Sequence, residues 1–324
     1  MNQIRTTIKR NQPILLSGIP RLIARLSPTH QKVQLLNNIF YRTGAGYSGE
    51  CNVDSYIERT HFPYLTKVFS DVHLRISPNF TFQIDTLIIT ERYVLIVEVK
   101  NLKDSIRFVQ NPPHLEQVIE TGDVTIIDCP VYQIETNKSN LDEWFRQRGI
   151  SLKTLGILVL ANQNTNVKDA PHDFTIIYKK QLPLYLQNLQ PVETVLSTVQ
   201  FHDITKRILS EQQQFNPFPL CSYYRIDPKD LRTGLLCHYC NDNLLRKTRE
   251  TWYCPRCGKD ATDPYNKAIH DWLILVKNSI NNEECRNFLR LKDKHAAYYA
   301  LKKSPLVKKG NSSATFYTAG VKRI

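Results

Sequence analysis

Glu98-Val99-Lys100 closes an apolar, β-branched run that begins at Val94, and the alternation of a strand puts Glu98 and Lys100 on one face. The preceding run, Phe82 to Thr90, carries Asp85 where a half-buried strand ordinarily holds another apolar side chain. With a reversal centred on Glu91 and Arg92, Asp85 falls directly opposite Glu98. Two carboxylates and an ammonium on one patch suit metal-assisted phosphodiester hydrolysis. The acids would take a hard ion, Mg²⁺ or Mn²⁺, and the lysine would orient water or meet the developing oxyanion. On an exposed strand the same Glu-x-Lys is only an ion pair worth roughly 0–1 kcal/mol. The register-matched Asp85 and an upstream Gly49-Glu50 favour the site. The turn is its weak point, because Glu91-Arg92 lacks the Gly or Asn that tight hairpin turns prefer.

A second group is Cys237-His238-Tyr239-Cys240 and Cys254-Pro255-Arg256-Cys257, two CxxC knuckles with thirteen residues between them. Four thiolates make a closed tetrahedral shell for one structural Zn²⁺, with no open position for catalysis and no need of His238. Leu244 to Tyr253 then suits the hairpin of a zinc ribbon, too small to keep its fold without metal. Cys51, Cys129, Cys221 and Cys285 stand alone and read as buried structural thiols. This usage fits a reducing, cytoplasmic setting rather than a disulfide scaffold.

The elements that must position these groups can be read coarsely. Apolar spacing predicts a basic helical lead-in over residues 14–41, interrupted at Ser27-Pro28 and ended by Gly44-Ala45-Gly46. Ser48 reads as the N-cap of a second helix, which would put Glu50 in a first turn where the helix dipole alone could account for it. Lys67 to Ile76 reads as a strand, 101–128 as two or three short strands, and Gly156 to Ala161 as a central strand covered on both faces. Pro130 opens a helix through Arg146 with Ile134, Leu141 and Phe145 inward and Gln133, Asn137 and Asn140 on a polar face. Leu182 to Leu189 and Val192 to Leu209 read as helices, and Gln212 to Pro219 as a linker.

In order along the chain, Gly49-Glu50, Asp71-Val72-His73-Leu74, Gln83-Ile84-Asp85, Val97-Glu98-Val99-Lys100-Asn101 and Pro130-Val131-Tyr132-Gln133 resemble the successive motifs of the nuclease-related domain, NERD. That family is similar to the PD-(D/E)xK restriction-endonuclease-like nucleases, and the resemblance covers about residues 45–165. It implies a restriction-endonuclease-like α/β core with a central mixed sheet flanked by helices, and metal-dependent cleavage of DNA. It further implies Asp85 and Glu98 as metal ligands, Lys100 as the catalytic lysine, Glu50 as the helix-borne acid near the metal and Gln133 as the helical glutamine facing the site. Family members often carry a glycine between the two strands; Glu91-Arg92-Tyr93 does not, which bears on the loop rather than the site.

The chain of 324 residues carries a net charge of +13, unevenly spread. Residues 1–46 hold seven Lys or Arg and no acid, and 221–324 hold twenty against ten, while the middle is slightly acidic. Basic flanks suit a polyanion, although Lys and Arg also simply solubilise a surface. From Asp263 onward, helices with inward Ile269 and Leu273, then Cys285 and Phe288, then His295 to Leu301, precede a basic turn and a Thr315-Phe316-Tyr317 strand. This order resembles a winged helix-turn-helix whose Lys294, Lys302, Lys303, Lys308 and Lys309 would contact nucleic acid; a small helical cap with a basic surface fits the same pattern. The domains so read are a lead-in at 1–46, a nuclease-like domain at 47–210, a linker at 211–230, a zinc ribbon at 231–262 and the helical module at 263–324. The expected function is a nuclease acting on DNA, with a non-catalytic nucleic-acid-binding or regulatory protein on the same fold as the alternative. No apolar run is long enough for a membrane span, and a protein partner that supplies specificity would leave no motif.

Overall fold

In the computed structural model, which describes residues 10–150, 152–189, 196–248 and 251–320, the apolar runs of the middle of the chain build one sheet. Strands β1 (Thr66–Ser77), β2 (Phe80–Thr90) and β3 (Val94–Lys100) form an antiparallel meander. Strands β7 (Thr154–Leu160) and β9 (Ile176–Tyr178) continue from β3 in parallel, giving the order β1-β2-β3-β7-β9. Helices cover both faces, which is why β3 and β7 are nearly continuous apolar runs. On one face Leu87, Ile89 and Ile96 pack against Leu141, Trp144 and Phe145 of α3 (Pro130–Arg146) and Phe201, Ile204 and Ile208 of α5 (Thr198–Glu211). On the other, Ile88, Leu95, Val97 and Val159 meet Val53 and Ile57 of α2 (Val33–Ile57) and Leu182 and Leu186 of α4 (Leu182–Asn188). The expected α/β core with a central mixed sheet flanked by helices is present.

The short strands expected within 101–128 are β4 (Ser105–Gln110), β5 (Pro113–Val118) and β6 (Val124–Asp128). They join β8 (Asn166–Lys168) in a second sheet ordered β6-β5-β4-β8, whose Ile106, Phe108 and Leu115 pack with Ile134 of α3. These elements, residues 44–215 with 10–12, form one compact unit, and residues 13–43 with 216–320 form another.

The second unit has its own core. Ile19 and Leu22 of α1 (Ile14–Arg25) and Leu36 of α2 cluster with Cys237 and Cys254, with Ile269 and Leu273 of α7 (Pro264–Leu275) and with Phe288 of α8 (Asn282–Leu289). Strands β10 (Leu245–Arg246) and β11 (Thr251–Tyr253), between the two cysteine knuckles, and β12 (Asp260–Thr262), between the second knuckle and α7, form a small sheet. Strand β13 (Ser279–Asn281), α8, α9 (Lys294–Lys303), β14 (Leu306–Lys309) and β15 (Phe316–Ala319) complete the unit, with sheet order β13-β15-β14. From α7 onward the order of these elements is helix, strand, helix, helix, strand, strand. Helix α6 (Leu220–Tyr224) lies within the segment read as a linker and buries Leu220 and Cys221.

The structure departs from the expectations in several places. The break at Ser27-Pro28 is real, since α1 ends at Arg25 and α2 begins at Val33. The glycines do not end a helix: α2 runs unbroken through Gly44, Gly46 and Gly49, so Ser48 is not an N-cap and Glu50 lies mid-helix, away from any dipole explanation. Each glycine costs a helix about 1 kcal/mol relative to alanine, and tertiary packing outweighs that. A Cβ on Gly49 would stand 2.6 Å from Asn101 Cβ, so the absent side chain lets α2 lie against the end of β3. The cap of α8 is Asn281, in a reciprocal box with Glu284. Helix α5 starts at Thr198, and the expected helical residues 192–195, like residues 1–9 of the lead-in, lie outside the described residues.

Much of the lead-in's positive charge is committed internally. Arg25 is 1% exposed and donates from Nε to Asp271 Oδ2 at 2.7 Å, while Arg21 Nε holds Asp271 Oδ1 at 2.5 Å. These groups staple the second unit and are not on offer to a polyanion.

Candidate active site and metal centre

The β2–β3 ladder sets the acids. Ile89 faces Val94, Ile88 faces Leu95, Leu87 faces Ile96 and Thr86 faces Val97, so one step further on this register Asp85 stands opposite Glu98. Asp85 Oδ2 accepts the Val99 N–H at 3.1 Å, tying the carboxylate to the neighbouring strand. The turn that looked weak is held by a side chain. Thr90 Oγ1 accepts the N–H of Arg92 at 3.0 Å and of Tyr93 at 2.8 Å, and donates to Tyr93 O at 3.0 Å. No residue of the turn takes a positive φ, so the glycine frequent in the family is not needed here.

Glu98 is 1% exposed. Its Oε1 accepts Lys100 Nζ at 2.8 Å, and its Oε2 is buried without a hydrogen-bond partner among the described residues. Lys100 Nζ also donates to Gln133 Oε1 at 3.1 Å. One turn along α3, Asn137 is buried and donates to Gln83 O at 2.8 Å. Gln133 and Asn137, read as part of a polar face, therefore meet the sheet rather than solvent.

Glu50 approaches from α2, and a residue that sequence reasoning passed over holds it. Arg10 Nη1 donates to Glu50 Oε2 at 2.6 Å, Nε to Asp54 Oδ2 at 2.7 Å, and Nη2 to Thr86 Oγ1 at 2.8 Å and Asp85 O at 3.1 Å. The Arg10 side chain is 3% exposed, and its planar fork satisfies two carboxylates at once. Asp54 was open to discovery, being four residues after Glu50 on the same helical face. Arg10 carried no signal beyond one basic residue in a basic stretch. Asp71 falls opposite Asp85, between the pairs Ser70–Thr86 and Val72–Ile84, with a left-handed φ of 53° in mid-strand. It accepts hydrogen bonds from His73 Nε2 at 2.9 Å and Gln83 Nε2 at 2.8 Å. The His73 contact is the main reason its carboxyl lies below the usual range.

The electrostatics match this crowding. Burial, and then the charge of Asp85, push Glu50 and Glu98 each up to about 7. Burial also raises Asp85, against the Val99 N–H and the Lys100 charge. For Lys100 burial works downward, but the charge and hydrogen bond of Glu98 outweigh it and the ammonium stays protonated. Acids gathered in a poorly solvated place are short of positive charge. Asp85 and Glu98 carry the oxygen donors that a hard divalent ion takes, and among the described residues Glu98 Oε2 has no hydrogen-bond partner.

The four cysteines converge as expected. The Sγ atoms of Cys237, Cys240, Cys254 and Cys257 all lie within 4.8 Å of one another, and His238 is not among them. The Tyr239 N–H donates to Cys237 Sγ at 3.4 Å, as backbone amides do around thiolates. Such a cluster can hold Zn²⁺. Of the four isolated cysteines, Cys221 and Cys285 are buried, and burial pushes both thiols up to about 12, whereas Cys51 and Cys129 are only half-buried, contrary to expectation. Lys294, Lys302 and Lys303 project from α9 and Lys308 and Lys309 from β14, all exposed in the second unit. No helix among the described residues is long and apolar enough to cross a membrane.

Residues 45–161, from within α2 to the residue after β7, match the family model of the nuclease-related domain, NERD. The matched span contains Glu50, Asp85, Glu98, Lys100 and Gln133. No curated protein and no solved structure matches the chain.

Proposed function

Residues 45–161 match the nuclease-related domain, and from that premise we propose that the protein is a divalent-metal-dependent nuclease that hydrolyses phosphodiester bonds of DNA. The observation that carries this reading is the Lys100 ammonium bridging Glu98 and Gln133 beside the unpartnered Glu98 Oε2, with Asp85 in register opposite. Asp85 and Glu98 would hold Mg²⁺ or Mn²⁺. Such an ion, when bound, supplies charge neutralisation on the phosphate and an acidified water. Lys100, kept charged by Glu98 and aimed by Gln133, donates to a phosphate oxygen or to the attacking water. Glu50, held by Arg10, would stand as the helix-borne acid beside that ion. The exposed lysines of α9 and β14 and the zinc ribbon would bind the nucleic acid through its phosphates, largely without regard to sequence.

One observation favours the alternative of a non-catalytic nucleic-acid-binding protein on this fold. Arg10 is a cation supplied by the chain itself, seated on Glu50 and Asp54. Plasmid cleavage separates the two readings. Supercoiled DNA should be nicked with Mg²⁺ or Mn²⁺ and not with EDTA, and Asp85→Ala or Lys100→Ala should lower the rate about 10²-fold or more while retaining DNA binding. Binding without cutting in either metal would establish the alternative, and undiminished cutting by both variants would show that the site is misassigned.

A further inference from the structure

Strands β3, β7 and β9 run parallel, and the residues that follow their last members line one open cleft of about 420 Å³. Asn101 follows β3, Asn162 and Gln163 follow β7, and Lys179 and Lys180 follow β9, with Tyr56 of α2 as a further wall. The carboxyl ends of parallel strands are where open α/β sheets bind ligands, because the chain leaves the sheet there and its loops can present polar groups. Lys179 Nζ contacts Asn52 Oδ1 at 3.2 Å and stands 6.0 Å from the centroid of the Tyr56 ring. Asn101 Nδ2 donates to Ala45 O at 2.9 Å, which leaves its oxygen able to accept. The Nε2 of Gln163 is buried without a partner among the described residues.

This lining defines a class of ligand. Two ammonium groups call for an anion, and a row of carboxamides offers the paired donors and acceptors that match the edge of a base or a sugar. The Tyr56 ring, with the Arg59 guanidinium 5.5 Å and the Lys179 ammonium 6.0 Å from its centroid, adds an aromatic surface beside two cations. The lining is mostly polar, and a bare phosphate would take the carboxamide N–H donors but leave the accepting oxygens unused. The cleft opens at the strand end that also carries Lys100: Asn101 follows Lys100 in the chain and the Ala161 N–H donates to Lys100 O at 3.0 Å, with the Lys100 side chain turned to Gln133 of α3 and the Asn101 side chain to Ala45 of α2. We infer that this cleft is a nucleotide subsite, seating one nucleotide of the nucleic-acid strand next to the phosphate presented to Lys100. The inference rests on the nuclease reading for its place in catalysis, but not for the binding itself.

The test uses the full chain and thymidine 3′,5′-bisphosphate, a single base with two phosphates, titrated by calorimetry in EDTA. Without metal the acid site repels phosphate, so the probe reports on the cleft. The parent should bind at millimolar concentration or better, and Lys179→Ala/Lys180→Ala should weaken binding about tenfold or more. Lys168→Ala/Lys206→Ala, exposed positions of the same unit that remove equal charge, should change it less than about twofold. No binding by the parent, or equal weakening by the control pair, overturns the subsite. In the cleavage assay the cleft variant should raise KM and keep kcat. A parent that cuts while the cleft variant cuts with unchanged KM sinks the subsite and leaves the nuclease standing. A parent that binds the probe but never cuts sinks the nuclease and keeps a nucleotide site.

Discussion

Arg10 shows how much a single side chain can carry. Its guanidinium is buried with Glu50 and Asp54, and removing one partner of a buried ion pair leaves the others uncompensated. Arg10→Ala should therefore cost about 3 kcal/mol in the denaturant unfolding of its unit, and Asp54→Asn introduced in that background should recover part of the loss. If the single variant is as stable as the parent, the contact is incidental. Glu50 and Glu98 add a pH dependence. Both carboxyls have been raised from the ordinary value near 4.5 to about 7, chiefly by burial. In that window the fold holds protons that the unfolded chain has released, so the contribution of these two acids to metal-free stability is full below about 4.5 and is lost as pH climbs to about 7. Unfolding followed in EDTA across this range should show the decline, and Glu98→Gln should flatten it. A divalent ion needs the ionised acids, so added Mg²⁺ should stabilise most at the upper end.

Among the elements, the β2–β3 hairpin is the one on which the site depends. Alternation and register were legible in the residues, since apolar positions buried on both faces leave one register that does not expose them. The means of turning was not legible, because the turn borrows the hydroxyl of Thr90, fully buried at the last position of β2, in place of a glycine. Thr90→Val keeps the shape and loses the three hydrogen bonds, and should cost about 1–2 kcal/mol with reduced DNA cleavage as the register loosens. Unchanged stability would mean that the strands alone set the reversal. Helix α2 teaches the opposite lesson. Three glycines within six residues argue locally for a break, yet the helix continues because Gly49 gives α2 room against Asn101 and the apolar face of Val53 and Ile57 is buried on the sheet.

For the whole molecule, the zinc ribbon is more than an appendage. Cys237 and Cys254 share a core with Ile19, Leu22, Ile269 and Phe288, so the loss of metal should be felt beyond the cysteines. Chelation of bound zinc, or Cys254→Ser, should lower the melting temperature of that unit by about 5 °C or more, with one zinc released per chain. An unshifted melt after complete zinc release would show that the core holds without it. The unit that carries Glu98 should melt as before under the same treatment.

By itself the sequence determined what short range can decide: the strands around Asp85 and Glu98, their register, helix α3 from Pro130 to Arg146, and the four cysteines at metal-ligand spacing. These follow from alternation, helical period and fixed motif spacing, which act over a few residues to a few tens of residues. Only the tertiary structure decided that Arg10 would sit on Glu50 and Asp54, that Asn137 would reach Gln83 O, and that the ends of β3, β7 and β9 would open one cleft. Those pairings join residues far apart in the chain, and their free energy comes from burying charge and packing faces together, which no local pattern of residues records. The basic lead-in makes the same point: composition marked it for a polyanion, and folding committed Arg10, Arg21 and Arg25 to the protein's own acids.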